Sequence, residues 1–227
     1  MSGTSMDGLD CGLFNISLNS NYELDWEIID FKTIPYSVEI RQSIMNTIYG
    51  DQTDIRELDI LLGNEFAKIS MDFLNGNKID LIATHGQTIS HVDGESSRQI
   101  GSPEFIYNAM KIPVVSNFRQ NDICAGGNGA PLMPFLDWLL FKNKNIEAIT
   151  LNIGGISNLS YIPVSGNRWE VLGFDTGPGM ALIDEFCEIK YAKRLDLDGM
   201  YSRKGSIIDE LLEELMKHPF ILKNPPK

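Results

Sequence analysis

The sequence has few basic residues and few cysteines. It contains 19 Lys and Arg against 31 Asp and Glu, which gives a net charge of −12 and a pI of about 4.6. Because nucleic acids and anionic membranes bind basic surfaces, this balance argues against both as general partners. Cys11, Cys124 and Cys187 form no C-x-x-C pair, and their odd number predicts reduced thiols in a cytoplasmic protein.

Signatures of several other protein classes are also missing. No apolar run has the length of a membrane span, and no basic-then-apolar leader is present. The histidines His85, His91 and His218 show no H-E-x-x-H or Cys/His spacing of a zinc site. No G-K-[ST] occurs, which disfavours the P-loop class. With 227 residues, the chain can bury a substantial core as one large domain or two small ones.

Strand and helix patterns are mixed along the chain, which predicts an α/β fold. A strand is expected over residues 9–18, and the helical period appears at Val38–Tyr49 and at 53–74, where Thr53 resembles an N-cap. Apolar strands lead into polar turns at 84–88 and directly after Val114–Val115. Sites in α/β folds lie at strand ends, so these two turns are candidates.

Two Gly-rich hairpins, "SGTSMDGLDCGLFNI" and "NIGGISNLSYI", open the two halves of the sequence. Each is either an ordinary turn or a phosphate-binding turn. In the second interpretation, small residues of the first turn let backbone N–H groups approach a phosphate, and the Thr4 and Ser5 hydroxyls add donors. Asp7 or Asp10 could then orient Mg²⁺ through water.

The segment "VLGFDTGPGMALIDEF" places a carboxylate, Asp175, between an apolar strand and a Gly-rich turn that opens a helix. An Asp in this position is usually an N-cap or a turn residue. Because Pro178 is expected at the first helical position, Thr176 or Gly177 is the better cap. Asp175 would then face a pocket where the first N–H groups of the helix attract an anion. A phosphoryl-transfer site can use such a carboxylate as a base.

The polar turns "THGQT" and "NFRQND" also have two interpretations. Their side chains could simply face solvent, and a lone histidine such as His85 is more often structural. A site for a hydroxyl-rich small molecule needs the same donors and acceptors, namely His85, Gln87, Thr88, Asn117, Arg119 and Asp122. In that case the guanidinium of Arg119 could bind a substrate carboxylate.

The segments "MSGTSMDGLD", "ATHGQTISH", "FRQNDICAGGNGAPLMP", "LNIGGISNLS" and "GFDTGPGMALID" occur in this order. Together they resemble the anhydro-N-acetylmuramic acid kinase family, and the resemblance extends along the whole chain. It implies an α/β fold with the two ribonuclease H-like lobes shared by actin, Hsp70 and sugar kinases. We expect residues 1–128 to form the first lobe. Residues 129–227 would form a partial, incomplete second lobe, because family members are considerably longer.

The resemblance also implies a reaction, the ATP- and Mg²⁺-dependent phosphorylation of 1,6-anhydro-N-acetylmuramic acid at O6 with hydrolytic opening of the anhydro ring. Asp175 matches the general base of the family. The nucleotide-binding positions would be Gly3, Thr4, Ser5, Met6, Asp7, Gly8, Leu9, Asp10, Gly154 and Gly155. The substrate-binding positions would be His85, Gln87, Thr88, Arg119 and Asp122, with Arg119 the candidate for the lactyl carboxylate.

The implied setting is cytoplasmic recycling of peptidoglycan sugars, with ATP and an amino sugar as partners and no nucleic acid or membrane. A homodimer is compatible with the resemblance, and no direct metal ligand is expected. The alternative is a non-catalytic sugar-binding or regulatory protein, because the later Gly-rich segment that would hold adenosine is missing. Asp175 argues against this alternative, since a pure binder gains nothing from a base.

Overall fold

The computed structural model describes residues 2, 8–50, 54–142 and 145–225. Helices and strands are mixed throughout these ranges, which confirms the predicted α/β class. The chain divides into two compact units, Met1–Ala130 and Pro131–Lys227.

The first unit begins with an antiparallel hairpin of β1 (Gly8–Leu18) and β2 (Leu24–Pro35), followed by α1 (Val38–Tyr49) and α2 (Ile55–Leu74). These elements lie where the sequence patterns predicted a strand and two helices. The carboxylate of Asp54 caps α2 by accepting from the Arg56 and Glu57 amides, and Thr53, the predicted cap, lies outside the described residues.

Two small sheets complete the first unit. Strand β3 (Ile82–Ala83) pairs in parallel with β6 (Val114–Val115), and β4 (Gln87–Val92) pairs antiparallel with β5 (Ser96–Ile100). Helix α3 (Pro103–Met110) joins β5 to β6, and α4 (Phe118–Cys124) follows β6. The segment "NFRQND" is therefore mostly helical and not a turn. A helix this short has no long apolar period by which sequence could identify it.

The core of the first unit is built on one face of α2. Leu58, Leu62, Phe66 and Ile69 recur at three- or four-residue spacing, and all four are buried. The same cluster takes in residues of β1, α1, β5 and α3 and of the connection between β2 and α1, namely Leu9, Cys11, Tyr36, Ile40, Ile44, Ile100 and Ile106. Because β5 and α3 pack on α2, the positions of the neighbouring polar segments depend on this core.

The second unit is a three-stranded antiparallel sheet with helices. Its elements are α5 (Met133–Phe141), β7 (Ala148–Ile153), β8 (Ile156–Ile162), β9 (Leu172–Pro178), α6 (Ala181–Tyr191), α7 (Asp209–Leu215) and α8 (Pro219–Leu222). The strand order is β7-β8-β9. The carboxylate of Asp137 is 7% exposed and accepts hydrogen bonds from Thr150 (2.7 Å) and Ser160 (2.6 Å). This polar contact fixes which face of the sheet α5 covers.

We predict that Leu62→Ala lowers the free energy of unfolding by about 2–5 kcal/mol, because it opens a cavity in the core. The matched control is Leu61→Ala on the same helix, since Leu62 is 0% exposed and Leu61 is 47% exposed. The control should change stability by less than about 0.5 kcal/mol. Chemical denaturation followed by circular dichroism measures both, and equal losses would contradict this packing.

Candidate active site

The first group of predicted nucleotide-binding positions is only partly visible. Gly3, Thr4, Ser5, Met6 and Asp7 lie outside the described residues. Gly8 begins β1 opposite Pro35, and the side chain of Leu9 is part of the core. Asp10 is exposed and accepts a hydrogen bond of 2.6 Å from the Thr33 hydroxyl on β2. Of the described positions in this group, Asp10 alone presents a polar side chain.

The second predicted phosphate turn, Gly154 and Gly155, joins β7 to β8 and holds the start of α6. The carbonyl of Gly154 accepts from the Met180 amide at 2.7 Å. The carbonyl of Gly155 accepts from Gly179 at 2.9 Å and from Ala181 at 3.2 Å. These N–H groups were expected to attract an anion. That expectation is wrong for all three, because the turn carbonyls already bind them.

The helix that follows Asp175 also begins later than predicted. Strand β9 continues through Asp175 to Pro178, which pairs with Ile156, and α6 starts at Ala181. Pro178 is therefore the last strand residue, and neither Thr176 nor Gly177 is the N-cap. The N-cap residue is Met180, which makes no side-chain capping bond. The first amide of the helix, that of Ala181, donates instead to the Gly155 carbonyl.

Asp175 lies directly beside an irregularity in the sheet. Asn158 pairs with Asp175 and Ser157 pairs with Gly177, so Thr176 is an extra residue on β9. The Thr176 hydroxyl is 2.9 Å from the hydroxyl of Ser157 and 3.1 Å from its carbonyl oxygen. Bulges bend a strand and re-aim side chains, and they are common next to active sites. This one fixes where β9 turns away after Asp175.

A row of polar residues crosses the sheet at the level of Asp175. Asn152 on β7 pairs with Asn158 on β8, which pairs with Asp175 on β9. All three lie on the face of the sheet that α5 covers. Thr150 and Ser160 contact that helix, and Asn152 and Asn158 are each two residues away on the same strands, so their side chains point to the same face. Asp175 shares this face because it pairs directly with Asn158. Sequence reasoning missed the two asparagines. Their alternation with apolar residues on β7 and β8 was the available signal.

In the first unit, His85 and Arg119 are in direct contact. The Nε of Arg119 donates to Nε2 of His85 at 2.9 Å, and its Nη1 donates to the carbonyl of Gly129 at 2.8 Å. The Nδ1 of His85 lies 3.0 Å from the carbonyl oxygen of Gly86. Asp122 completes the group, because its carboxylate accepts from the Gly129 amide at 2.8 Å. Three of the predicted substrate residues thus form one hydrogen-bonded network.

The electrostatics of this network favour a neutral imidazole. Burial lowers the pKa of His85 below its ordinary value, and the positive charge of Arg119 acts in the same direction. The hydrogen bond to Gly86 opposes this lowering without cancelling it. Burial also lowers the pKa of Arg119, which remains a cation at neutral pH because guanidinium does not lose its proton in proteins.

The other two predicted substrate residues lie at the start of β4. Gln87 is 1% exposed, and its side chain accepts from the Ser2 hydroxyl and donates to the Thr88 carbonyl. The Thr88 hydroxyl accepts from Gln99 at 3.3 Å. Asn117 precedes α4 in the left-handed region, with φ 61°. The buried side chain of Gln87 therefore stabilises the start of β4 through its hydrogen bonds, whereas Thr88 is partly exposed.

Two further features bear on the kind of site. Within the described ranges, no group of three or more His, Cys, Asp or Glu side chains is placed to hold a metal ion. No helix in the part of the chain that the structure describes is long and apolar enough to cross a membrane.

Comparison with known proteins identifies the family. A family model described as anhydro-N-acetylmuramic acid kinase matches residues 1–227, and the chain belongs to this family. Over its whole length the chain is 38% identical to the anhydro-N-acetylmuramic acid kinase of Bacillus cereus (strain ZK) and covers 63% of that protein. The corresponding values are 38% and 63% for Clostridioides difficile (strain 630), and 37% and 63% for Bacillus anthracis (strain A0248). The chain thus spans less than two thirds of the length of these curated relatives.

We predict that Gly179→Ala destabilises the second unit by about 1–3 kcal/mol, as overpacking does. A Cβ at Gly179 would overlap the Gly154 carbonyl oxygen, which accepts from the next residue, Met180. Gly154→Ala is the matched control, because a Cβ there lies 3.6 Å from its nearest neighbour, the Ile156 carbonyl oxygen. Thermal unfolding compares the two variants, and equal midpoints would contradict the close approach of the two turns.

Proposed function

We propose that this protein is an ATP-dependent kinase that phosphorylates 1,6-anhydro-N-acetylmuramic acid at O6 and opens the anhydro ring by hydrolysis. The product is N-acetylmuramic acid 6-phosphate, so the role is in cytoplasmic recycling of cell-wall sugars. Family membership supports this proposal. The observation that carries it is the position of Asp175, a carboxylate next to a bulged residue and just before residues 179–181, whose amides donate to Gly154 and Gly155.

In the proposed reaction Asp175 acts as the general base. It takes a proton from water, whose oxygen forms a bond to the anomeric carbon while the bond from that carbon to O6 breaks. O6 accepts the γ-phosphoryl group of ATP, and ADP leaves. General bases act best when they are held in one geometry. Pairing with Asn158 and the bulge at Thr176 are the features that hold the backbone of Asp175.

The nucleotide contacts are proposed for two places. The carbonyls of Gly154 and Gly155 are engaged by the start of α6, so we assign phosphate contacts to the N–H groups of this turn. Asp10 is exposed at the start of β1 and fits a water-mediated contact to Mg²⁺. The ion would supply charge neutralisation on the phosphates. The remaining predicted contacts, Gly3 to Gly8 and Leu9, stay proposals.

The sugar contacts are proposed for the network around Arg119. Its Nε and Nη1 already donate to His85 and Gly129, so a lactyl carboxylate would be bound through Nη2 and the second hydrogen of Nη1. Thr88 and Asp122 are the other partly or fully exposed candidates. His85 and Gln87 are buried, and we assign them a supporting role.

For the fold, we propose the two ribonuclease H-like lobes of actin, Hsp70 and sugar kinases. Residues 1–128 would belong to the first lobe and residues 129–227 to the second. The three-stranded antiparallel sheet with a Gly-Gly turn in the second unit supports this assignment. A homodimer is likewise a proposal, and sedimentation of the purified chain tests it.

Replacing Asp175 should separate chemistry from binding. We predict that Asp175→Asn lowers turnover at least about 100-fold, as loss of a general base does, while ATP affinity is retained. Asp209→Asn on α7, an exposed acidic residue in the same unit, should leave turnover unchanged. ADP release with Mg-ATP and the anhydro sugar measures turnover, and calorimetry measures ATP affinity. A wild-type chain that binds the sugar without any turnover would favour the non-catalytic alternative.

Replacing Arg119 should affect the two ligands differently. We predict that Arg119→Ala weakens binding of the anhydro sugar about 10- to 100-fold, because one charge-assisted contact is lost, whereas ATP affinity is unchanged. Arg98→Ala on β5 removes the same charge from an exposed position of this unit and should change neither affinity. Equal weakening of both ligands by Arg119→Ala would contradict the assignment of Arg119 to the sugar.

A further inference from the structure

The imidazole of His85 bridges a backbone carbonyl and a guanidinium. It is 8% exposed, with Nδ1 3.0 Å from the Gly86 carbonyl oxygen and Nε2 2.9 Å from Nε of Arg119. Arginine has donors and no acceptor, so Nε2 must carry the lone pair and Nδ1 the proton. The geometry therefore selects one form of His85, the neutral Nδ1–H tautomer.

We propose that neutral His85 is the positioning residue of Arg119, and that protonation of His85 releases the guanidinium and weakens binding of a carboxylate-bearing ligand. The ligand part rests on the proposed function, because it takes Arg119 as the group that binds the lactyl carboxylate. The positioning part rests only on the contacts of His85 and Arg119. His85 need not touch the sugar for either part.

The effect of protonation follows from the donors that would then face each other. A protonated imidazole directs an N–H at the N–H of Arg119 and places two cations in contact, which is strongly unfavourable in a partly buried site. The remaining contact of Arg119 is to the Gly129 carbonyl at 2.8 Å, in the loop that Asp122 also binds. With this single hydrogen bond left, the guanidinium plane of Arg119 is no longer held in one orientation.

The direction of the pH dependence can be worked out from the groups that act on His85. Its burial and the positive charge of Arg119 hold its pKa below the ordinary value of 6.5. Asp122, one turn along α4 from Arg119, is the carboxylate in this network. At neutral pH the contact is intact. It is lost as the pH falls through the lowered pKa of His85. Stability falls earlier, as the pH drops from the ordinary value of 6.5 towards the lowered pKa, because in that range the unfolded chain binds the proton and the folded chain does not.

Two substitutions of His85 separate positioning from simple filling of the core. His85→Gln offers an amide oxygen that can accept from Arg119 and does not titrate. His85→Leu fills the space without an acceptor. His91→Gln is the control, because His91 pairs with Asp93 at 2.9 Å, whereas the side chain of Arg119 donates to His85 and Gly129.

The binding test measures the Kd of two sugars by calorimetry, from pH 8 down to the lowest pH at which circular dichroism shows the chain to be folded. One is 1,6-anhydro-N-acetylmuramic acid, and the other is 1,6-anhydro-N-acetylglucosamine, which lacks the lactyl carboxylate. We expect the wild type and His91→Gln to lose affinity for the first sugar as the pH falls through the lowered pKa of His85, by at least about tenfold once His85 is protonated, as loss of a charged contact does. His85→Gln should keep its affinity throughout, and His85→Leu should be weak at every pH. The second sugar should show none of these changes. Matching pH profiles for the wild type and His85→Gln would overturn the proposal.

A second readout needs no ligand. Nitrogen NMR of the full chain should show His85 as the Nδ1–H tautomer at neutral pH, with its signal identified by its absence in His85→Gln. The Arg119 Nε–H resonance should move as His85 titrates. If neither sugar binds at any pH, the proposed function fails, and this readout still decides the positioning of Arg119. An Arg119 resonance that ignores the titration of His85 would overturn the inference.

Discussion

The arrangement around Asp175 depends on two backbone carbonyls. Those of Gly154 and Gly155 bind the amides of Gly179, Met180 and Ala181, which joins the turn between β7 and β8 to the start of α6. The end of β9 lies between these two points, so its course is constrained from both sides. The bulge at Thr176 follows from the same constraint, since the strand must pair with β8 and still arrive at this turn. A carboxylate on such a strand has little freedom of backbone position.

In the first unit, hydrogen bonds of side chains hold the candidate site in place. Helix α4 presents Arg119 to His85, and the loop after the helix is held through Gly129 by Arg119 and Asp122. A cation that is bonded on two sides has a defined orientation for its remaining donors. The buried position of His85 is what keeps its imidazole neutral and able to accept. The orientation of Arg119 therefore depends on the burial of His85.

The sequence predicted the elements that have a long periodic pattern, and it did not predict those whose position depends on a few backbone hydrogen bonds. The apolar face of α2 and the alternation of β1 were readable, because both involve many residues. The helix at Phe118–Cys124 and the strand end at Pro178 were not, because each depends on a few backbone bonds. Asp175 was recognised as a carboxylate beside a Gly-rich segment. Its neighbours Asn152 and Asn158 emerge only from the register of three strands.

The sequence by itself determined the mixed α/β class, the family and the residue types available for chemistry, because periodicity and motif order are properties of the chain alone. The tertiary structure alone decided how those residues are used. It made the amides of Gly179, Met180 and Ala181, which were expected to bind an anion, donors to the carbonyls of Gly154 and Gly155. It also placed His85 against Arg119, which is 34 positions away in the sequence. Both outcomes arise from contacts between distant segments, in which buried donors and acceptors must find one another.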